Sequence, residues 1–266
     1  MQPLSSILKH PLVEPQVATL LRSRLVERPW LFAVREWRGS NPAVYRVREN
    51  GMRVLIAHRT PDVHALDQAF YRHAHDPPPP ALAALAGLRH PIRALDVGAN
   101  VGMWGLWLHG RFAVAHITGL EPDPENAARH RRQIQLNCLE HSWEVVEKAA
   151  TVSDGPVTFA IGAGANGHIV SAAGEDTADV DGIDVFSMLR DVDLLKLDIE
   201  GGEWPILADR RFTGIDVPVV MIEFHPNDAP SVPRLDAQGA LERAGYETAL
   251  AAEGPPGFGI LWGYRT

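Results

Sequence analysis

Apolar residues recur along the chain in two rhythms, and the change from one to the other divides it. Val13, Val17, Leu20, Leu21 and Leu25 fall at three- and four-residue intervals, the repeat of a helix that buries one face. Pro15 is tolerated there because it sits in the first turn. Two short runs rich in strand-forming residues follow, Ala43 to Val47 and Met52 to Ala57. The Asn50-Gly51 pair between them suits the positive φ angles of a hairpin turn. Four consecutive prolines, Pro77 to Pro80, cannot continue a helix and favour a stiff extended spacer. The pattern predicts a helix-and-hairpin annex over residues 1–80 and a main domain over residues 81–266.

Beyond the prolines, short apolar runs alternate with helix-length segments: Ile92 to Val97, Ile117 to Leu120, Val145 to Lys148, Leu194 to Ile199 and Val217 to Phe224. Strands spaced this way form βαβ units, so the domain should be doubly wound α/β with a mostly parallel sheet covered on both faces. Two further runs, Tyr246 to Leu250 and Phe258 to Tyr264, are separated only by Ala251 to Gly257. That connection is too short for a parallel crossover, so these last two strands should pair antiparallel.

Composition narrows the partners. Of 266 residues, 45% are apolar and 22% charged, which is ordinary for a globular protein. A net charge of −8 supplies no field for a phosphate backbone or an anionic lipid surface, apart from a local patch at Arg129, Arg131 and Arg132. Nucleic acid and membrane are therefore not expected partners; a small-molecule substrate is, and a homo-oligomer remains open. The single cysteine, Cys138, excludes an internal disulfide and any cysteine-based zinc site, and reads as a small buried hydrophobe. The opening stretch, MQPLSSILKHPLVEPQV, lacks the apolar core of a secretory signal, and a cytoplasmic location is expected.

Chemistry concentrates at the strand ends. Ile92 to Val97 runs straight into Gly98-Ala99-Asn100-Val101-Gly102, after which Met103 to Leu108 can begin a helix. Glycines there permit positive φ and close backbone approach, so the turn offers N–H groups and a helix N-terminus to a small anionic or carboxylate-bearing cofactor. The spacing is G-x-x-x-G, not the G-x-G-x-x-G that cradles a pyrophosphate. Glu121, at the end of the second strand, can accept both hydroxyl protons of a ribose.

Together, Leu95 to Gly102 and Glu121-Pro122 resemble the AdoMet-binding motifs of class I methyltransferases, in the form used by FkbM-type enzymes. Leu195-Lys196-Leu197-Asp198-Ile199-Glu200-Gly201-Gly202-Glu203 is similar to that family's Lys-x-Asp-x-Glu-Gly-x-Glu signature. The resemblance spans roughly Arg93 to His225 and implies a seven-stranded Rossmann-like sheet. It implies that Gly98, Ala99, Asn100 and Gly102 face the methionine part of AdoMet, and that Asp96 orders the loop or reaches the amino group. Glu121 would hold the ribose, and adenine would lie near Pro122, Asp123, Lys148 and Ala149. Asp198 would border the same pocket. The implied acceptor is a hydroxyl of a sugar or secondary-metabolite intermediate.

Ligands of open α/β sheets bind beyond the carboxyl ends of the strands, which puts Asp198, Glu200 and Glu203 beside the same crevice. Glu203 reads as the opening of a helix. Strand alternation turns Glu223 and His225 to one face, so a carboxylate and an imidazole converge on Asp198. His225 is the first candidate for a base toward a hydroxyl. Alternatively Asp198, Glu200, Glu223 and His225 could gather a divalent ion. The glycine-rich stretch Gly162 to His168 reads as a mobile loop over the crevice, with His168 as a substrate contact or second base. Trp104 and Trp107 read as core or substrate wall. His58, His64, His73 and His75 lie outside the motifs, while Tyr71, Arg72 and His73 could line the substrate end. N-methylation on the same fold, a nicotinamide-dependent oxidoreductase and a non-catalytic binding protein are the rival functions.

Overall fold

The computed structural model describes residues 14–160, 167–169 and 177–265. They fall into two compact units that meet in sequence between His73 and Ala74. In the first unit, helix α1 spans Glu14–Ser23 and α2 Pro29–Arg38. Strands β1 (Ala43–Arg46) and β2 (Arg53–Ile56) pair antiparallel, and α3 covers Asp62–Phe70. Helices α2 and α3 were absent from the expected helix-plus-hairpin annex. Pro29 starts α2 in the first turn, where its missing N–H has no helical partner anyway. In α3, Val63, Leu66 and Phe70 repeat at helical spacing and are buried. Phe32, Tyr45, Val54, Ile56 and Leu66 belong to this unit's core.

The proline run lies inside the second unit and only its first half is extended: Pro78 has extended backbone, and Pro79 and Pro80 open helix α4 (Pro79–Gly87). Fixed φ suits proline to a helix start as much as it bars proline from a helix interior. Strand β3 (Ile92–Val97) is followed by α5 (Met103–Arg111), β4 (Val114–Leu120), α6 (Pro124–Leu136) and β5 (Trp143–Val146). Next come three short strands, β6 (Ala149–Thr151), β7 (Gly155–Ala160) and β8 (Thr177–Asp184). Then follow β9 (Leu194–Leu197), α7 (Glu203–Ala208), β10 (Val219–Phe224), α8 (Pro233–Arg243), β11 (Glu247–Glu253) and β12 (Gly259–Tyr264).

The principal sheet is the expected doubly wound one, seven strands in the order β11-β12-β10-β9-β3-β4-β5. Every neighbouring pair is parallel except those made by β12, which runs antiparallel to both β10 and β11. Its centre is dry: all residues of β9 and β12 are buried, and Trp107, Trp143 and Trp262 are among the largest fully buried side chains. Strands β6, β8 and β7 form a separate side sheet. It was hidden because β6 has only three residues and β7 carries Pro156, which removes a ladder donor. Of the stretch Gly162 to His168, residues 162–166 lie outside the described residues. Cys138 is exposed rather than buried, at φ 56 in the turn that ends α6, because it falls after the last helical turn. Among the described residues no helix is long and apolar enough to cross a membrane.

Candidate functional site

The parallel register sets Asp96 of β3 beside Lys196 of β9, and Val97 beside Leu197. Both strands therefore end at the same edge, and the loop after β3 meets the turn after β9. Gly98, at φ +82, makes that meeting possible: a Cβ there would stand 1.7 Å from the Asp198 carbonyl oxygen. Gly102, at φ +83, begins α5, and a Cβ on it would come within 2.5 Å of the His130 ring. Asn100 also has a left-handed backbone, at φ 48.

Glu121 ties this loop to the end of β4. Its carboxylate accepts from the Asn100 N–H at 2.8 Å and the Asp123 N–H at 3.0 Å. Burial pushes the Glu121 carboxyl up to about 7, against the pull of these hydrogen bonds. Asp123 caps α6, accepting from Glu125 N–H at 2.8 Å and Asn126 N–H at 3.2 Å. Pro122 is half-buried and Ala149 buried, while Lys148 reaches Asp181 at 4.0 Å.

Beneath the loop lies an ion-pair knot. The Lys196 ammonium is 3.0 Å from Asp96, 3.1 Å from Asp198 and 3.1 Å from the Gly98 carbonyl. Burial pushes the Asp96 carboxyl up although Lys196 pulls it down. Burial also works to raise Asp198, but Lys196 and His225 outweigh it and hold that carboxyl below the usual range. Lys196 lies within the Leu195 to Glu203 motif, and nothing in the local spacing gives it a role. Its charge in an otherwise apolar strand was the signal, since a buried lysine needs a partner.

Beyond Asp198 the chain turns through Glu200, at φ 54, into α7. Glu203 Oε1 accepts from the His225 backbone N–H at 2.9 Å and lies 3.0 Å from His225 Nδ1, while Oε2 accepts from Gly201 N–H at 2.9 Å. That arrangement turns Nε2 toward Glu200 Oε2 at 3.6 Å and Asp198 Oδ1 at 3.8 Å. Burial opposes a charge on His225, but the Glu203 hydrogen bond and the carboxylates of Asp198, Glu203 and Glu200 push it up to about 9. Burial, reinforced by Asp198, pushes the Glu223 carboxyl up to about 8, and burial likewise raises Glu200.

The structure thus brings Asp198, Glu200, Glu223 and His225 together, and His168 lies near enough to Glu200 to act on its charge. Glu203, read as the opening of a helix, is also the partner that orients His225. His75, set outside the motifs, is buried with neither ring nitrogen hydrogen-bonded, and burial together with Lys196 depresses it to about 4. His58 instead belongs to the first unit's core, 2.7 Å from the Tyr45 hydroxyl and 2.9 Å from Glu36. Trp104 and Trp107 are buried with their rings 6.3 Å apart.

The family described as the methyltransferase FkbM domain matches residues 96–248. Among solved structures, methyltransferase FkbM from Methylobacillus flagellatus KT is similar at 15% identity and TM-score 0.49, over 95% of this chain and 60% of that one. The chain therefore spans 60% of the length of that protein. Magnesium protoporphyrin IX methyltransferase from Synechocystis PCC 6803, with bound SAM, is similar at 11% identity and TM-score 0.45, over 77% of this chain and 83% of that one. Precorrin-6y C5,15-methyltransferase from Geobacter metallireducens GS-15 is similar at 16% identity and TM-score 0.42, over 70% and 88%. Nothing among curated proteins matches the chain.

Proposed function

The chain belongs to the FkbM methyltransferase family, which matches more than half of it, and from that premise we propose that it transfers the methyl group of AdoMet to a hydroxyl of a small molecule. One observation carries the reading: Lys196 joins the glycine loop, through the Gly98 carbonyl, to the carboxylate that opens the Asp198–Glu200–His225 cluster. A donor held by the loop would therefore have its methyl group beside proton-accepting side chains. Gly98, Ala99, Asn100 and Gly102 are assigned to the methionine part, Asp96 to ordering the loop through Lys196, and Glu121 to the ribose. Pro122, Asp123, Lys148 and Ala149 are assigned to the adenine side, with Asp198 at the boundary between donor and acceptor.

Methyl transfer from a sulfonium is an in-line displacement, and positioning supplies most of its acceleration. The acceptor oxygen attacks the methyl carbon, the carbon–sulfur bond breaks with its electron pair staying on sulfur, and the hydroxyl proton must leave. Glu223, whose Oε2 has no hydrogen-bond partner, is assigned to take that proton in its ionised form, which burial confines to pH above about 8. With no cation bound, the protonated His225 would supply the positive end of the cluster and favour ionisation of the acceptor hydroxyl, a role that a cation on Nε2 would take over. His168 is assigned to acceptor contact.

Calorimetric titration tests the donor. Micromolar binding of AdoMet or S-adenosylhomocysteine without binding of NAD is the expected result, and the opposite pattern would replace this reading with a nicotinamide oxidoreductase. Incubation with labelled AdoMet and hydroxylated small molecules then tests the acceptor.

Two expectations follow for Glu121. Glu121→Ala should weaken AdoMet by about 1–3 kcal/mol because the ribose hydroxyls lose a charged acceptor; unchanged affinity removes Glu121 from the pocket. The affinity of the unmodified protein should rise with pH through about 7, where burial has placed the carboxyl. Below that pH the neutral acid is the main form and accepts hydroxyl protons poorly; above it the carboxylate accepts both. Titrations at acid, neutral and mildly alkaline pH should show this slope, and Glu121→Gln should flatten it.

A further inference from the structure

We propose that Asp198, Glu200 and His225 bind a divalent cation at the acceptor end of the cleft, an ion of the Mn²⁺ class that would hold and acidify the acceptor hydroxyl. Its existence follows from the side chains alone; its use rests on the methyltransferase reading. Each of the three residues offers one ligand atom, and these atoms all lie within 4.8 Å of one another. His225 Nε2 stands 3.6 Å from Glu200 and 3.8 Å from Asp198, beyond hydrogen-bonding reach of either. A cation equidistant from three atoms so spaced would sit about 2.4 Å or less from each, within or close to the range of oxygen-bound divalent ions. The three donors therefore surround a gap of ionic size instead of closing on one another.

Two further observations point to an occupant. The His225 side chain is only 2% exposed, and its Nε2 stands 3.6 Å from Glu200 and 3.8 Å from Asp198, while its Nδ1 meets the fully buried Glu203 at 3.0 Å. A carboxylate on one ring nitrogen, orienting the other toward further carboxylates, is how proteins present a metal-binding imidazole. Independently, Glu223 Oε2 is sealed from solvent without a hydrogen-bond partner, and its carboxylate faces the charges of Asp198, His225 and Glu200. A buried carboxylate oxygen with nothing to accept from is costly, and an ion among these residues would relieve it.

The donor set decides the class. Carboxylate oxygens in the majority suit Mg²⁺, Ca²⁺ and Mn²⁺, and the imidazole shifts the choice toward a first-row ion. Bound there, the ion would act as a Lewis acid on the acceptor oxygen.

The test is a titration of the purified chain with Mn²⁺ alone, followed by the loss of the free-ion electron paramagnetic resonance signal. One saturable site per chain is expected, weakened about 10-fold or more by Glu200→Gln and by His225→Asn. Both variants should retain a cooperative thermal transition by circular dichroism. Absence of saturable binding, or binding indifferent to both substitutions, overturns the inference. AdoMet titrated into the same preparations separates the two ideas: donor binding without Mn²⁺ binding defeats the cation alone, and Mn²⁺ binding without donor binding defeats the methyltransferase reading alone.

Discussion

Replacing Lys196 with methionine is expected to destabilise the fold by about 3–5 kcal/mol, the usual consequence of removing one member of a buried ion pair. The side chain is 4% exposed and holds Asp96, which is fully buried, and Asp198. Methionine fills a similar volume, so little of the loss comes from packing. What remains is a carboxylate in an apolar sheet, and such a group neutralises rather than staying charged. The pH dependence separates this cause from a cavity. Burial already raises the Asp96 carboxyl with Lys196 present, and without the ammonium it must rise further. A folded-state pKa above the unfolded one means the folded state holds the proton more firmly, so stability falls as pH rises. The variant should therefore lose less at pH about 5 than at pH about 8. Urea unfolding at both values measures it, and a loss below about 1 kcal/mol at the higher pH would mean the knot contributes little.

How far the site could be read beforehand depended on whether partners lie close in the chain. The glycine turn, Asp96 and Glu121 share two adjacent strands, and their spacing alone suggested a nucleoside pocket. Glu223 lies in β10 and His225 directly follows its last residue, so alternation was enough to predict a shared face, and both carry charges that act on Asp198. Lys196 and Asp96 are 100 residues apart, and only the register of β3 on β9 pairs them. The link from Glu203 to His225 is of the same kind, since it needs the turn after β9 to face the end of β10. Local rules also gave Glu203 a plausible alternative use at the start of α7, and its carboxylate does bond the Gly201 N–H there. The helix opened by Pro79 and Pro80 was hidden for a different reason: four prolines in a row suggest an extended spacer, although a proline begins a helix as readily as it ends one. Burial of Cys138 failed because residue type alone says nothing about a position in a turn.

His225→Ala should lower turnover on a hydroxyl acceptor about 10²-fold or more while leaving AdoMet affinity nearly unchanged. The imidazole lies in the acceptor cluster, and none of its hydrogen bonds reaches the glycine loop or Glu121. Alanine would also take from Glu203 one of three hydrogen bonds, leaving those from the backbone N–H groups of Gly201 and His225. Some loss of stability, about 1–3 kcal/mol, is therefore expected besides the chemical defect. His225→Asn separates the two, because its amide can donate to Glu203 as Nδ1 does but places nothing where Nε2 stood. If the asparagine variant recovers stability and stays slow in single-turnover measurements with saturating donor, the reaction depends on Nε2 itself. Recovery of rate together with stability would assign His225 to holding the β10 end in place, and the chemistry would then have to reside in the surrounding carboxylates.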